Sequence, residues 1–227
     1  MSSFEELVST PFAGGVNAMC WQRTLPGNFG EIVDKLAIGP GITTLDEDRL
    51  QQLDLSEAGQ VARDVLLEDQ RMLRERDLAP VLDFINGYVR DTADDDEEEE
   101  EEALPTHVQS FHVDSATVAA DTFLCTYHGS SSEALPPEEA VRHVDVPGTR
   151  AALLKLYGGD DDEGFLEYLN DRFYDLHYAP LPDARPYSFG VGNLWRIAIQ
   201  YPGCPVPPCV HRAPDTLPGR PRLLLIS

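Results

Sequence analysis

Two imidazoles, one carboxylate and a late arginine are the residues of this chain whose spacing points to chemistry. His112 and Asp114 stand two positions apart in Ser110-Phe111-His112-Val113-Asp114, and His211 follows far downstream in Val210-His211-Arg212-Ala213-Pro214. Alternate residues of a β-strand face the same side, so a His and an Asp at i and i+2 can converge on one ion. Two histidines and a carboxylate occupy one face of a divalent iron and leave the opposite positions open for O2 and a co-substrate. Arg222, eleven residues after His211, opens the apolar run Arg222-Leu223-Leu224-Leu225-Ile226. Its planar fork matches a carboxylate, which suits an anionic co-substrate. Read together, the four residues predict an oxygen-using iron enzyme.

Rivals exist for both halves of this set. His143-Val144-Asp145 repeats the His-x-Asp spacing, and Arg212 and Arg220 compete with Arg222 as the carboxylate anchor. Arg222 lies within the strand-like run and can point inward, whereas Arg220 beside Pro221 reads as a turn residue. His107, His128 and His177 stand alone and read as surface or hydrogen-bonded histidines, with His128 next to Gly129 near a pocket mouth. Glu133, after Ser130-Ser131-Ser132, reads as a loop acid. There is no Gly-rich phosphate loop, no Gly-x-Ser-x-Gly elbow and no paired Cys-x-x-Cys zinc pattern.

The elements that must position these residues change in texture along the chain. Residues 1–30 read as irregular, and 31–37 as a short helix. Ser56 is placed to cap a longer helix with a stripe of Val61, Val65, Leu66, Met72 and Leu73. Leu78, Leu82, Ile85 and Val89, at spacings of four, three and four, predict a further helix ending near Arg90. Beyond 104, strands are expected at 107–114, 122–127, 141–146, 191–201 and 222–226, with helices at 149–156 and 164–173. Strands after a helical start predict an α+β chain: a helical region over 1–104, ending in an acidic disordered loop at 91–104, and a jelly-roll core over 105–227, forming one compact domain.

Composition narrows the partners. A chain of 227 residues that is 42% hydrophobic can bury a sizeable core. A net charge of −23 argues against nucleic acid and anionic membranes, both of which need basic residues. Much of that charge is local, in nine consecutive acids at 94–102 that repel one another and cannot form a core. No apolar run is long enough to span a membrane, and the N-terminus lacks the features of a signal peptide, so a cytoplasmic, soluble protein is expected. In that compartment Cys20, Cys125, Cys204 and Cys209 are expected as thiols, although Cys204 and Cys209 flank Pro-Val-Pro-Pro closely enough to bridge or bind metal.

The pattern of His112, Asp114, His211 and Arg222 resembles that of the Fe(II)- and 2-oxoglutarate-dependent dioxygenases. It is also similar to an uncharacterised bacterial domain family with Phe-His-x-Asp, Thr-Tyr-x-Gly, His-Arg-x-Pro and a closing Arg-Leu-Leu-Leu strand, here at 111–114, 126–129, 211–214 and 222–225. The resemblance covers about 105–227 and implies a double-stranded β-helix (jelly roll). It further implies iron on His112, Asp114 and His211, with 2-oxoglutarate chelating the iron and pairing with Arg222. Tyr127 is the best match to a co-substrate tyrosine. The implied reaction converts 2-oxoglutarate and O2 to succinate and CO2 while oxidising a C–H bond of a small-molecule or peptide substrate. Two other readings stay open: a cupin-like Zn(II) or Mn(II) protein on the same ligands, and a non-catalytic jelly roll that binds a partner through its helices and acidic loop.

Overall fold

The computed structural model describes residues 1–88, 104–216 and 218–227; the acidic run at 94–102 and Val89 lie outside them. In chain order the elements are α1 (Phe4–Ser9), β1 (Ala18–Trp21), α2 (Phe29–Leu36), β2 (Gly41–Thr44), α3 (Glu47–Gln51), α4 (Glu57–Arg74), β3 (Val81–Asn86), β4 (Asp121–His128), β5 (Glu133–Leu135), β6 (Ala140–Arg142), α5 (Pro147–Tyr157), α6 (Glu163–Asp171), β7 (Tyr178–Pro180), β8 (Tyr187–Ser188), β9 (Leu194–Ala198), β10 (Val210–Arg212) and β11 (Arg222–Ile226). The architecture is mixed α and β. Its main layer is a six-stranded antiparallel sheet of order β1-β9-β4-β11-β3-β2, and a second, three-stranded sheet has the order β10-β5-β8. Among the described residues no helix is long and apolar enough to cross a membrane.

The six-stranded sheet is covered on both faces, and the pleat sorts its residues between them. Leu82, Phe84, Phe123, Cys125, Tyr127, Leu223 and Leu225 face one side and pack with Ile32, Val33 and Leu36 of α2 and Ala62, Leu66 and Leu73 of α4. Ile85, Leu124, Ile197 and Leu224 face the other side and meet Ala134, Phe189 and Cys209. Period-2 alternation fixes this division, because a slip of one residue exchanges the two faces.

The helix α4 forms where its cap and stripe predict it, with the Ser56 hydroxyl accepting from the Gly59 amide at 3.3 Å. Its buried stripe is rotated from the expected one, since Ala62, Leu66, Asp69, Gln70 and Leu73 go inside while Val61 is 38% exposed. The rotation follows from a buried polar contact. Asp69 takes one hydrogen bond from Arg23 at 2.7 Å and another from the Tyr127 hydroxyl at 2.6 Å. Such a paired carboxylate can sit in a core where an unpaired one cannot.

The largest departure from the sequence reading is the segment after Leu78, expected as a helix and found as strand β3. Leu82, Ile85 and the residues between them satisfy a helical spacing, yet the segment lies between β2 and β11 with both neighbours hydrogen-bonded. Val81 and Ile85, on the same face as Asp83, are apolar, so the polar alternation that marks strands is weak and periodicity alone misassigns the segment. The first eighty-eight residues are therefore not only helical: they supply β1, β2 and β3 to the main sheet. β1 and β2 fall in segments with no clear strand signal. The expected strand at 141–146 is cut short, with β6 giving way to a 3-10 turn at His143–Asp145.

Removing Asp69 tests how much the helical face depends on its polar contact. Asp69→Ala leaves Arg23, whose side chain is 8% exposed, without its anion. The expected loss is about 3–5 kcal/mol of unfolding free energy in urea titration. Tyr127→Phe removes one hydrogen bond and is expected to cost about 1–2 kcal/mol.

Candidate metal centre

The strand expected at 107–114 is reduced to isolated bridges at His112, one of them to His211 of β10. His112 and His211 exchange both backbone hydrogen bonds at 2.9 Å, and a second bridge pairs His112 with His177. The pleat again decides orientation. Phe111, Val113 and Val210 pack into their own apolar cluster with Leu135, so His112, Asp114 and His211 turn to the opposite side. There the three side chains offer one ligand atom each, all within 4.8 Å of one another. The spacing argument thus holds for this His-x-Asp pair. It fails for His143 and Asp145, which sit on the 3-10 turn, where Asp145 is engaged by Arg142 at 2.7 Å.

Hydrogen bonds behind the ligands set which atoms face forward. The Nδ1 of His112 lies 2.8 Å from the Ser110 carbonyl, and that of His211 3.2 Å from the Cys209 carbonyl. A carbonyl only accepts, so each Nδ1 carries the proton and each Nε2 keeps its lone pair for a metal. Burial, reinforced by the neighbouring His211, pushes the His112 pKa down to about 4, which keeps the ring neutral as a ligand must be. Asp114 Oδ2 accepts from the Thr122 hydroxyl at 2.6 Å, while Oδ1 lies 3.8 Å from His211 Nε2. Ligands of one transition-metal ion at bond lengths of about 2.1 Å stand no more than about twice that apart. Two neutral imidazoles and one oriented carboxylate therefore fit a divalent ion after small side-chain rotations.

The group opens into a cavity of about 210 Å³ lined by both layers. The main sheet contributes Ile85, Leu124, Leu224, Ile226 and Arg222 to its wall. Arg222 is 1% exposed, and its Nη2 donates to the hydroxyls of Ser132 at 2.7 Å and Thr126 at 3.0 Å. Its Nε is buried with no hydrogen-bond partner, and no carboxylate among the described residues pairs with it. Burial pulls its pKa below the usual arginine value, opposed by Tyr88 alongside. Gly129 makes the crossing possible: its φ is +82°, and a Cβ there would stand 2.7 Å from the Pro221 carbonyl.

The other sequence candidates fall elsewhere. Tyr127 is not brought to this cavity, because it projects from the opposite face of β4, stacks on Phe29 at 5.4 Å and bonds Asp69. The neighbouring Thr126 faces the cavity side instead, one step along the pleat. Arg212 is taken by Glu133 across β5 and β10 and lies over Phe111, and Arg220 is exposed. The ring of His128 lies against Gly30 of α2 and does not line the cavity. His177 is not isolated; its ring centroid lies 5.7 Å from that of His112. The four cysteines are free thiols, and burial pushes Cys209 up to about 12, which leaves it protonated and a poor ligand. Tyr88, Ser132, Thr122 and Thr126 went unread in the sequence because single hydroxyls carry no spacing signal.

His112→Ala or His211→Ala is expected to abolish stoichiometric Co(II) or Fe(II) uptake, measured anaerobically by visible absorption and metal analysis, while His143→Ala retains it. Unchanged uptake in both triad variants would remove the site. No family model, curated protein or solved structure matches this chain, so what the site does rests on its own chemistry.

Proposed function

We propose that this protein is a non-haem Fe(II)- and 2-oxoglutarate-dependent oxygenase acting on a C–H bond of a small-molecule or peptide substrate. The observation that carries the reading is Arg222: a buried cation without an acid, in the same cavity as two imidazoles and a carboxylate. An isolated charge costs several kcal/mol to bury, and a ligand carboxylate offsets that cost. The donor set matches the two-histidine, one-carboxylate group that suits iron with open positions. A six-stranded sheet beside a smaller one, with His211 on the smaller, His112 bridged to it and the arginine on the larger, supports a double-stranded β-helix reading of the fold.

In this reading His112, Asp114 and His211 hold the ion, and bound Fe(II) supplies the redox chemistry between O2, 2-oxoglutarate and substrate. The chain's own residues supply position. The Ser110 and Cys209 carbonyls fix the imidazole tautomers, and the Thr122 hydroxyl fixes the carboxylate. Arg222 binds the distal carboxylate of 2-oxoglutarate, with Ser132 and Thr126 holding the guanidinium in plane from behind. Leu124, Leu224 and Ile85 exclude water around the anion, which strengthens the charge pair.

Arg222→Ala is expected to weaken 2-oxoglutarate binding by about 30-fold or more, as loss of a buried charge-assisted pair worth about 2–5 kcal/mol requires. Metal affinity stays close to that of the parent protein, and Arg222→Lys recovers little, since an ammonium lacks the two-pronged contact. Titration of 2-oxoglutarate into the anaerobic Fe(II) protein, read by its visible charge-transfer band, measures this. Absence of both the band and succinate in the parent protein overturns the oxygenase reading and leaves a metal protein of another kind.

A further inference from the structure

The same cavity carries a second charge that the proposed reaction does not use. Asp83 lines it from β3, opposite Leu224 of β11 on one side and Thr44 of β2 on the other. Apart from Arg222, the sheet wall around it is apolar or hydroxyl-bearing. The Thr44 hydroxyl donates to Asp83 Oδ1 at 2.7 Å, and no cation among the described residues forms an ion pair with it. Arg222 pairs with Ile85 and Leu224 with Asp83, so the acid stands two residues, about 7 Å, along the strands from the level of the arginine. The two charges also differ in depth. Arg222 is almost fully enclosed, whereas Asp83 is only partly buried.

We propose that Asp83 binds a cationic group of the substrate, so that the substrate class is an alkylammonium on an apolar stem. The word substrate rests on the oxygenase reading; the binding itself does not need the metal. Asp83 has no cation of its own among the described residues, so its charge is left to pair with a ligand ammonium. Ile42, Val108 and Ile226 supply a surface for the methylene stem. Arg222 would repel the same ammonium from the deep end, so the two charges sort two ligands within one cavity.

The test uses the full chain, metal-free and isotopically labelled, titrated with pentylammonium, pentanol and pentanoate and read by amide chemical shifts. Pentylammonium is expected to bind at least tenfold more tightly than pentanol, with the largest shifts at Ile42, Asp83 and Leu224. Asp83→Asn, similar in size and still able to accept from Thr44, is expected to erase that preference. Thr44→Val and the exposed control Asp34→Asn are expected to keep it, and the Thr44 variant also guards against a fold defect at this strand pair. Acetyl-lysine methylamide, run beside the free amine, tells a side-chain source from a small-molecule one by which binds more tightly; either order supports the proposal if Asp83→Asn removes it. Equal affinity for amine and alcohol, no binding of any probe, or a preference that survives Asp83→Asn overturns it. Failure of the oxygenase reading is seen separately, as absent succinate with the cation preference intact.

Discussion

The alternation of side chains along β4 and β11 is the constraint on which the rest of this molecule depends. On β11, Leu223 and Leu225 enter the core shared with α2 and α4, while Arg222, Leu224 and Ile226 line the cavity. On β4, Phe123, Cys125 and Tyr127 go with the helices, and Thr122 and Leu124 with the cavity. The register between these strands shifts between Leu223 and Leu224, where Thr126 and His128 are the successive partners. That irregularity lets the end of β4 curve toward Ser132 while the apolar pairing below it stays in step. Moving β11 by one residue would drive Arg222 into the helical core and empty the cavity of its cation.

The two faces of the sheet treat buried arginine in opposite ways. Arg23, on the helical face, gives hydrogen bonds to Asp69 and the Gly192 carbonyl and lies 4.6 Å from the centre of the Trp21 ring. Arg196, also largely buried, bonds Asp121 and three carbonyls at the end of α1. Both are satisfied within the protein, and both tie distant segments together. Arg222 has only hydroxyls for partners, those of Ser132, Thr126 and Tyr88, and an orphaned Nε. A core that ion-pairs two of its arginines and leaves the third with neutral partners carries the contrast on which the proposed anion site rests.

How much of this was legible in the sequence depended on whether a residue's role is local. His112 and Asp114 were readable because pleat geometry turns an i, i+2 spacing into a shared face, and β11 because its five residues are apolar apart from Arg222. The same spacing at His143 gave no metal group, since Pro147 starts a helix just beyond and the chain turns there instead of extending. β3 reads as a helix because apolar Val81 and Ile85 share the face of Asp83 and blur its alternation. Tyr127, the best match to a co-substrate tyrosine, lies one pleat step away on the opposite face. Asp83, Tyr88 and Ser132 had no signal at all: each gains its place only when strands far apart in sequence are brought edge to edge.

With a chain charge of −23, any attraction of an anion to the cavity has to be local. At physiological ionic strength the field of surface carboxylates is screened within about 8 Å, so the acids outside the cavity do little to an anion held at its closed end. What acts there is the enclosed guanidinium and, in the proposed enzyme, the metal charge beside it, both in surroundings of low dielectric where screening is weak. At the partly buried Asp83 the proposal reverses the balance, since a carboxylate without a cation of its own favours one from a ligand. An anionic co-substrate and a cationic substrate would thus be drawn to opposite ends of one small cavity.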